Sequence, residues 1–592
     1  MEGKAKNKVI IANISGFYGD RFSAAREMID GGPVDFLTGD YLAELTMAIL
    51  FKAKSKKADL GYARTFLKQM EGIMGDCLDK NIRVVVNAGG LNPLGLAEGL
   101  KSVAKHLGLH PKIAYIDGDD LMPSLLELRS KGARLQHLEK NITLSESGMM
   151  PVSANAYLGC WGIVKALDLG ADIIVTGRVA DTSVVMGPAA HHFGWKQNDW
   201  DQLASAATAG HIIECSGQAS GGNYSFFEEV PSFTKVGFPI AEISRTGDFS
   251  ITKHPNTGGL VSIGTVTAQL LYEINAPEYI TPDVVAHFDT INIVQESPDR
   301  VSVSDVKGSP PTRTSKVTVN CLGGFQNMMQ LYILGLDVDK KVDILKTEFL
   351  NNIGGPASFD KIDFHFIKNI NEDPSTHEEA FSTFRVTVID KDPQKAGKFF
   401  TSKMIELALC APPGWCMSAP PGPAKPRIIH FPALIEKKYL KQQLHYQNED
   451  IYLAEVTSSE DIQVIKSYDS LDFSFHHEET EILPLGTIYA ARSGDKGGNA
   501  NLGIWGKTNA SYAFLEQLLS VEKLKELLPE TASFKIARFE FPNLLGLNFY
   551  IKGFLQEGVA ATTKMDGQAK TLGEYLRMKK VQIPKELLDG NK

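Results

Sequence analysis

The sequence predicts an α/β protein in which a large domain is built on a doubly wound, mostly parallel sheet, extended by a mixed β region and followed by a small α+β sandwich domain. Three observations predict it. Over the first two hundred residues, short apolar runs that end in small or polar residues alternate with helical stretches, the pattern of parallel strands joined by right-handed crossovers. Residues 280–400 then turn β-rich with two helical stretches among them. The final hundred residues read β-β-α-β-β-α, which fits a separate unit with helices on one face of its sheet. The expected boundaries are 1–440 for the large domain, 441–480 for a polar, acidic linker and 481–592 for the small domain.

Residues 9–14 form the first apolar run, which stops at Ser15-Gly16 before the helical FSAAREMI. Residues 34–37 stop at Thr38-Gly39-Asp40-Tyr41, ahead of helical YLAELTMAILFKAKSKK. Asp40 sits where an N-cap belongs, so capping and ligand binding are both open to it. Residues 83–86 lead into Asn87-Ala88-Gly89-Gly90-Leu91-Asn92-Pro93. There Asn87 and Asn92 present amides beside Gly89 and Gly90, whose bare backbone can approach a ligand closely. Residues 113–116 end in Asp117-Gly118-Asp119-Asp120, which reads as a solvated turn or, through its oxygens, as a divalent-cation site. The run 172–175 has the β-branched density of a strand covered on both faces, and it breaks at Thr176-Gly177-Arg178. Asp181-Thr182-Ser183 then offers capping side chains for a further helix. In an open parallel sheet such carboxyl ends share one edge, and ligands bind in the crevice outside it. Arg178 at that edge suits a substrate carboxylate or phosphate, or a carboxylate of the chain itself.

After helical WDQLASAATAG, His211, Glu214 and Cys215 stand at i, i+3, i+4 and share one face if the helix continues that far. That set suits metal ligation, a thiol activated by His211, or the polar wall of a binding site. The Gly- and Ser-rich run 216–223 is better suited to wrapping a ligand than to packing a core. Lys253-His254-Pro255-Asn256-Thr257-Gly258-Gly259 precedes a helix and has the chemistry of an anion cradle, without P-loop spacing. PGWCMSAPPGPAKPRIIHFPALI is proline-rich enough to predict irregular surface structure. In the last domain, Arg492-Ser493-Gly494-Asp495-Lys496-Gly497-Gly498-Asn499 is more polar than a hairpin turn requires. Arg492, Asp495 and Lys496 are therefore expected to contact a ligand or the large domain.

Composition narrows the function. At 592 residues the chain exceeds one core. A net charge of −9 and an isoelectric point near 5.9 give no basic field for nucleic acid or an anionic membrane surface. Cys77, Cys160, Cys215, Cys321, Cys410 and Cys416 include no CxxC pair, which argues against a disulfide framework or a zinc ribbon. The first apolar run is short and broken at Asn13, so it makes no signal peptide, and no run is long enough to span a bilayer. The expected setting is the reducing cytoplasm, and the expected partners are a small molecule and further copies of the chain.

Taken together, TGDYLAELTM, NAGGLNPLGLAEGL, GCWGIVKALDLGADIIVTGRVADTS, AGHIIECSGQASGGNYS and ITKHPNTGGLVSIGTVTAQLLYEI resemble the acyclic terpene utilisation protein A family. The terminal RSGDKGGNANLGI unit is similar to the ferredoxin-like domain that accompanies it. The resemblance covers nearly the whole chain. It implies a role beside acyl-CoA carboxylases, hydratases and lyases in the breakdown of acyclic terpenes or branched-chain acids. It supplies no residue roles, so those rest on side-chain chemistry. The chain is expected to act on a branched acyl-CoA or related carboxylate, with 3-hydroxyacyl-CoA carbon–carbon cleavage as the candidate reaction. Arg178 and Lys253 would bind anionic groups, and His211 or Glu214 would be the base. Asp40, Asp117, Asp181 and His254 could supply further acid–base or charge-stabilising groups. The metal requirement is open, a divalent cation being one option. A non-catalytic acyl-CoA carrier for a partner carboxylase is the alternative.

Overall fold

A computed structural model describes residues 7–458 and 479–589. At its centre Lys8–Ser15, Phe36–Gly39, Arg83–Val86, Ile173–Thr176 and Ile113–Asp117 lie side by side in that order, each parallel to the next. Strand side chains alternate between faces, and these five are apolar on both. Val9, Ile11, Phe36, Val85 and Ile174 pack with the helices Trp161–Asp168, Ser183–Phe193 and Trp200–Ile213. Ala12, Ile14, Leu37, Val84, Val86 and Val175 pack with Ala24–Gly31, Arg64–Asp79 and Pro93–Leu107. That division explains the uninterrupted Val/Ile runs.

The complete sheet has eleven strands and is mixed, which corrects the expectation of a mostly parallel one. Pro239–Ser244 pairs antiparallel with the first strand and carries Phe249–Lys253, Arg300–Ser304 and Asn292–Ser297 beyond it. On the opposite side Lys441–Tyr446 pairs antiparallel with Ile113–Asp117 and turns back as Glu449–Ala454. Much of this growth is by hairpins, which need only short turns where a parallel strand needs a crossover. The second addition also replaces part of the expected 441–480 linker with sheet. The HHEET end of that linker begins outside the described residues.

A seven-stranded antiparallel sheet stands apart from the first, so residues 280–400 do not all extend one sheet. Its spine is the twenty-residue strand Thr314–Ile333, paired with Lys425–Glu436, Ser382–Asp390 and Met150–Ala156. The proline-rich stretch is therefore strand over Trp415–Met417 and Lys425–Glu436, and the expected irregular surface remains at residues 418–424 between them. Proline removes a donor and keeps its acceptor. Pro432 still pairs across from Thr318, and its carbonyl accepts the Leu138 N–H at 2.8 Å.

The C-terminal domain carries Ala490–Lys496, Asn499–Trp505, Gly546–Ile551 and Ile536–Phe541 as an antiparallel sheet in that order. Ala500, Leu502 and Ile504 pack with the domain's own helices. The alternate positions meet the large domain. Asn501 donates through Nδ2 to Leu271 O (2.9 Å), and a Cβ on Gly503 would lie 2.7 Å from that of Leu271. Among the described residues no helix is long and apolar enough to cross a membrane.

Candidate active site between the two domains

Strand ends build the floor. Arg178 follows Ile173–Thr176 and is 2 % exposed. Its backbone N–H donates to Asp119 Oδ2 (2.9 Å), Nη1 donates to Leu42 O (3.0 Å), and Nη2 donates to the Tyr157 hydroxyl (2.8 Å). Nη1 also lies 2.9 Å from Asp181 Oδ1, and the guanidinium stacks 4.3 Å over the Tyr157 ring. Asp40, after Phe36–Gly39, accepts the Leu42 N–H (3.1 Å) and the Asn87 amide, while Asn87 Oδ1 accepts the Tyr41 N–H (2.7 Å). Asp40 is not the helix cap, because the next helix is Glu44–Lys56 and its N-cap is Ala43. Asp40, Asn87 and Arg178 thus share one rim.

Three more elements reach the same place. Gly16, after the first strand, is required because a Cβ there would lie 2.8 Å from Glu214 O. His211 and Glu214 therefore come against the sheet edge, with His211 Nδ1 3.2 Å from Glu214 Oε1 and Nε2 3.0 Å from Gln269 O. From the second sheet, Lys316 pairs with Glu44 at 3.1 Å and lies 4.9 Å over Tyr157. From the C-terminal domain come Arg492, Asp495, Lys496 and Lys570. Arg492 donates to Gln218 and stacks 4.1 Å over Tyr272, and Lys570 lies 3.3 Å from Glu273 and 3.8 Å from Asp495. Asp181, Glu44, Lys316, Glu273 and Lys570 all stay partly exposed, so a cleft runs between the domains.

Burial and neighbouring charge set the proton states. Burial and then the Asp181 carboxylate push Asp40 and Glu214 well above the carboxylate range. Burial lifts Glu273 to about 7 against the pull of Lys496. Asp495 rises through burial and Glu273. Burial opposes ionisation of Glu44, but Lys316, His430 and Arg178 outweigh it and hold that carboxyl well below its usual range. His211 falls to about 4 through burial and Lys496, and burial brings His430 to about 4. Neutral His211 donates from Nε2 to Gln269 O, and its other ring nitrogen faces Glu214 at 3.2 Å. Burial and then the Lys316 ammonium lower Lys496. Burial and Glu214 hold the Cys215 thiol well above its usual range, against an activated thiolate.

The structure brings together Asp40, Asn87, Arg178, Asp181, His211, Glu214, Arg492, Asp495 and Lys496. Other expected residues have separate work. Gly89 is required because a Cβ would lie 2.5 Å from Thr176 O, and Gly90 has φ +51° beside Leu50, so protein rather than ligand makes the close approach. Asn92 caps Pro93–Leu107 by accepting the Gly95 N–H (2.9 Å). Asp117 lies 3.3 Å from His445 Nε2. Lys253 pairs with Asp299 (2.9 Å) and donates to Thr257 O, while His254 Nε2 meets Met28 O, so the expected anion cradle is internally bonded. Among the described residues no three His, Cys, Asp or Glu side chains are grouped as metal ligands, which removes the geometric basis for His211–Glu214–Cys215 or Asp117–Asp120 as such a site. Sequence reasoning missed Glu44, Lys316, Glu273, Tyr157, His430 and Lys570. Glu44 had a weak signal, one helical turn after Asp40; Lys316 and His430 sit in strands with no motif around them.

Fold and site define a two-domain α/β protein whose charged cleft is shared between a sheet edge and a small α+β domain. The sequence profile of acyclic terpene utilisation family protein AtuA matches residues 9–446, and that of the AtuA ferredoxin-like domain matches 483–582. The chain belongs to the acyclic terpene utilisation family, whose name implies involvement in that catabolism. No curated protein and no solved structure matches it at a significant level.

Proposed function

We propose that the protein is an enzyme of acyclic terpene or branched-chain acid breakdown, acting in the cleft on a carboxylate or its CoA ester and cleaving a carbon–carbon bond. One observation carries this reading: carboxyl groups that burial raises, Glu214 well above the usual range and Glu273 to about 7, stand beside ammonium groups in a partly exposed seam between the domains. Burying so many charges is expensive and gives little net stability, so their convergence favours chemistry. Glu214 and Glu273 are the proton donors, returning as bases once ionised. Lys316 and Arg492 bind the carboxylate and the developing oxyanion. Neutral His211 orients Glu214 instead of acting as the base. Arg178 and Asp181 hold the floor in place, since the guanidinium already has three internal partners, Leu42, Tyr157 and Asp181.

The test is turnover by the purified chain across branched 3-hydroxyacyl-CoA esters and the free acids. Glu214→Gln and Glu273→Gln should each lower kcat/KM at least about tenfold, roughly 1.4 kcal/mol. Binding without turnover on every substrate would replace this reading with that of an acyl-CoA carrier, and no binding at all would remove both.

A further inference from the structure

One cation in the cleft has no partner. Arg178 pairs with Asp181, Lys316 with Glu44 and Lys570 with Glu273, and Arg492 is bonded to Gln218 and stacked on Tyr272. Among the described residues, Lys496 Nζ has neither an ion pair nor a hydrogen bond, although the side chain is only partly exposed. It ends the strand Ala490–Lys496, held against the large domain by the hairpin that follows, where a Cβ on Gly497 would lie 3.2 Å from the His430 ring. A lysine whose task is to steady a domain contact is best placed at a carboxylate. Glu273, Glu44 and Glu214 are near enough to act on Lys496 electrostatically, yet none comes within ion-pair distance. The charge acting on it most strongly is another ammonium, Lys316. An amine kept from water, beside a second cation and free of carboxylate contacts, is a nucleophile in waiting.

We propose that Lys496 is a covalent nucleophile that condenses with a ketone or aldehyde carbonyl of the substrate to form an imine, which makes the substrate class an oxo acid or its ester. This rests on the cleft being the catalytic site, as proposed above. The neutral amine nitrogen attacks the carbonyl carbon, forming the C–N bond, while the carbonyl oxygen takes a proton from the acid form of Glu273 or Glu214. The nitrogen returns one proton to that carboxylate, and the re-formed acid then protonates the hydroxyl, which leaves as water to give the protonated imine. The protonated imine keeps the second amine hydrogen, so amine, carbonyl and one carboxyl proton give protonated imine, water and carboxylate with no oxidant or other reactant. The protonated imine accepts the electron pair of the carbon–carbon bond that breaks, a 3-oxo acid losing its carboxylate as carbon dioxide, and the other of the two acids protonates the resulting enamine. Water then releases the product and restores the amine.

The experiment incubates the full-length protein with 3-oxobutanoate, 4-oxopentanoate or butanal in the presence of sodium cyanoborohydride, and reads the reduced adduct by intact mass and peptide mapping. The expected result is one adduct per chain, on the peptide carrying Lys496. It is absent in Lys496→Arg, which keeps the charge and whose melting temperature reports that the fold is intact. Lys316→Met removes the neighbouring charge, returns the amine towards its ordinary pKa and slows trapping at pH 7 by at least about tenfold. Melting temperatures with the same acids, without reductant, are measured in parallel. Stabilisation without an adduct at Lys496, or adducts spread evenly over surface lysines, would overturn the covalent role and leave the cleft reading standing. If neither these probes nor CoA esters bind or react, both readings fall.

Discussion

Arg178 binds the floor of the cleft to itself. Its head group is held by Leu42 O, the Tyr157 hydroxyl and Asp181, so replacing it strands buried acceptors and a carboxylate. Breaking a buried pair on one side costs about 3 kcal/mol or more, and Arg178→Met should lower the urea midpoint accordingly, whatever it does to turnover. Asp119 gives a cleaner electrostatic test because it is buried and bonded to the Arg178 N–H and to Asn155 Nδ2. Burial pushes its carboxyl up to about 7. The unfolded chain titrates it near about 4, so between these values the folded chain holds more protons. Stability from this site is therefore fully present below about 4 and is lost as pH rises through about 7. Urea midpoints at pH 5 and pH 8 check this: the gap between Asp119→Asn and the native chain should shift in the variant's favour at pH 8. An unchanged gap would contradict the raised pKa.

At the scale of elements, alternation along Asn499–Trp505 makes one strand serve two purposes. Ala500, Leu502 and Ile504 fill the small domain's core, while Asn501 and Gly503 press on the large domain. Gly503 has no room for a side chain against Leu271. Gly503→Val should therefore destabilise by about 1–3 kcal/mol through overpacking, and thermal melts followed by circular dichroism would measure it. Hydrogen exchange should quicken in Asn499–Trp505 and in the facing helix Ile263–Leu270. Protection unchanged in both would mean that the contact gives way cheaply.

For the whole molecule, the cleft exists only because a separate domain seals it. Asn501 Oδ1 accepts the Glu273 N–H (2.8 Å) and Nδ2 donates to Leu271 O, so this one side chain aligns Glu273 from across the interface. Asn501→Ala leaves those groups unsatisfied, at about 1–3 kcal/mol for each buried group. With a substrate in hand, kcat/KM should fall at least about tenfold while the small domain keeps its fold, checked by kinetics beside near-ultraviolet circular dichroism. Much of this organisation could be read from residues alone. The Val/Ile runs ending in Gly39-Asp40, Asn87 and Thr176-Gly177-Arg178 disclosed the parallel centre and the shared rim of its strand ends, because local periodicity and turn chemistry are short-range properties. Membership of the acyclic terpene utilisation family was equally legible in long motifs. What only the tertiary structure decided was partnership: that Lys253 and His254 are bonded internally, that prolines 426 and 432 lie in a strand, that Glu44 and Lys316 pair, and that Glu273 and Lys496 come near enough to feel each other's charge. Burial and proton state depend on residues hundreds of positions apart, and a chain read in order carries no record of which of them will share a desolvated space.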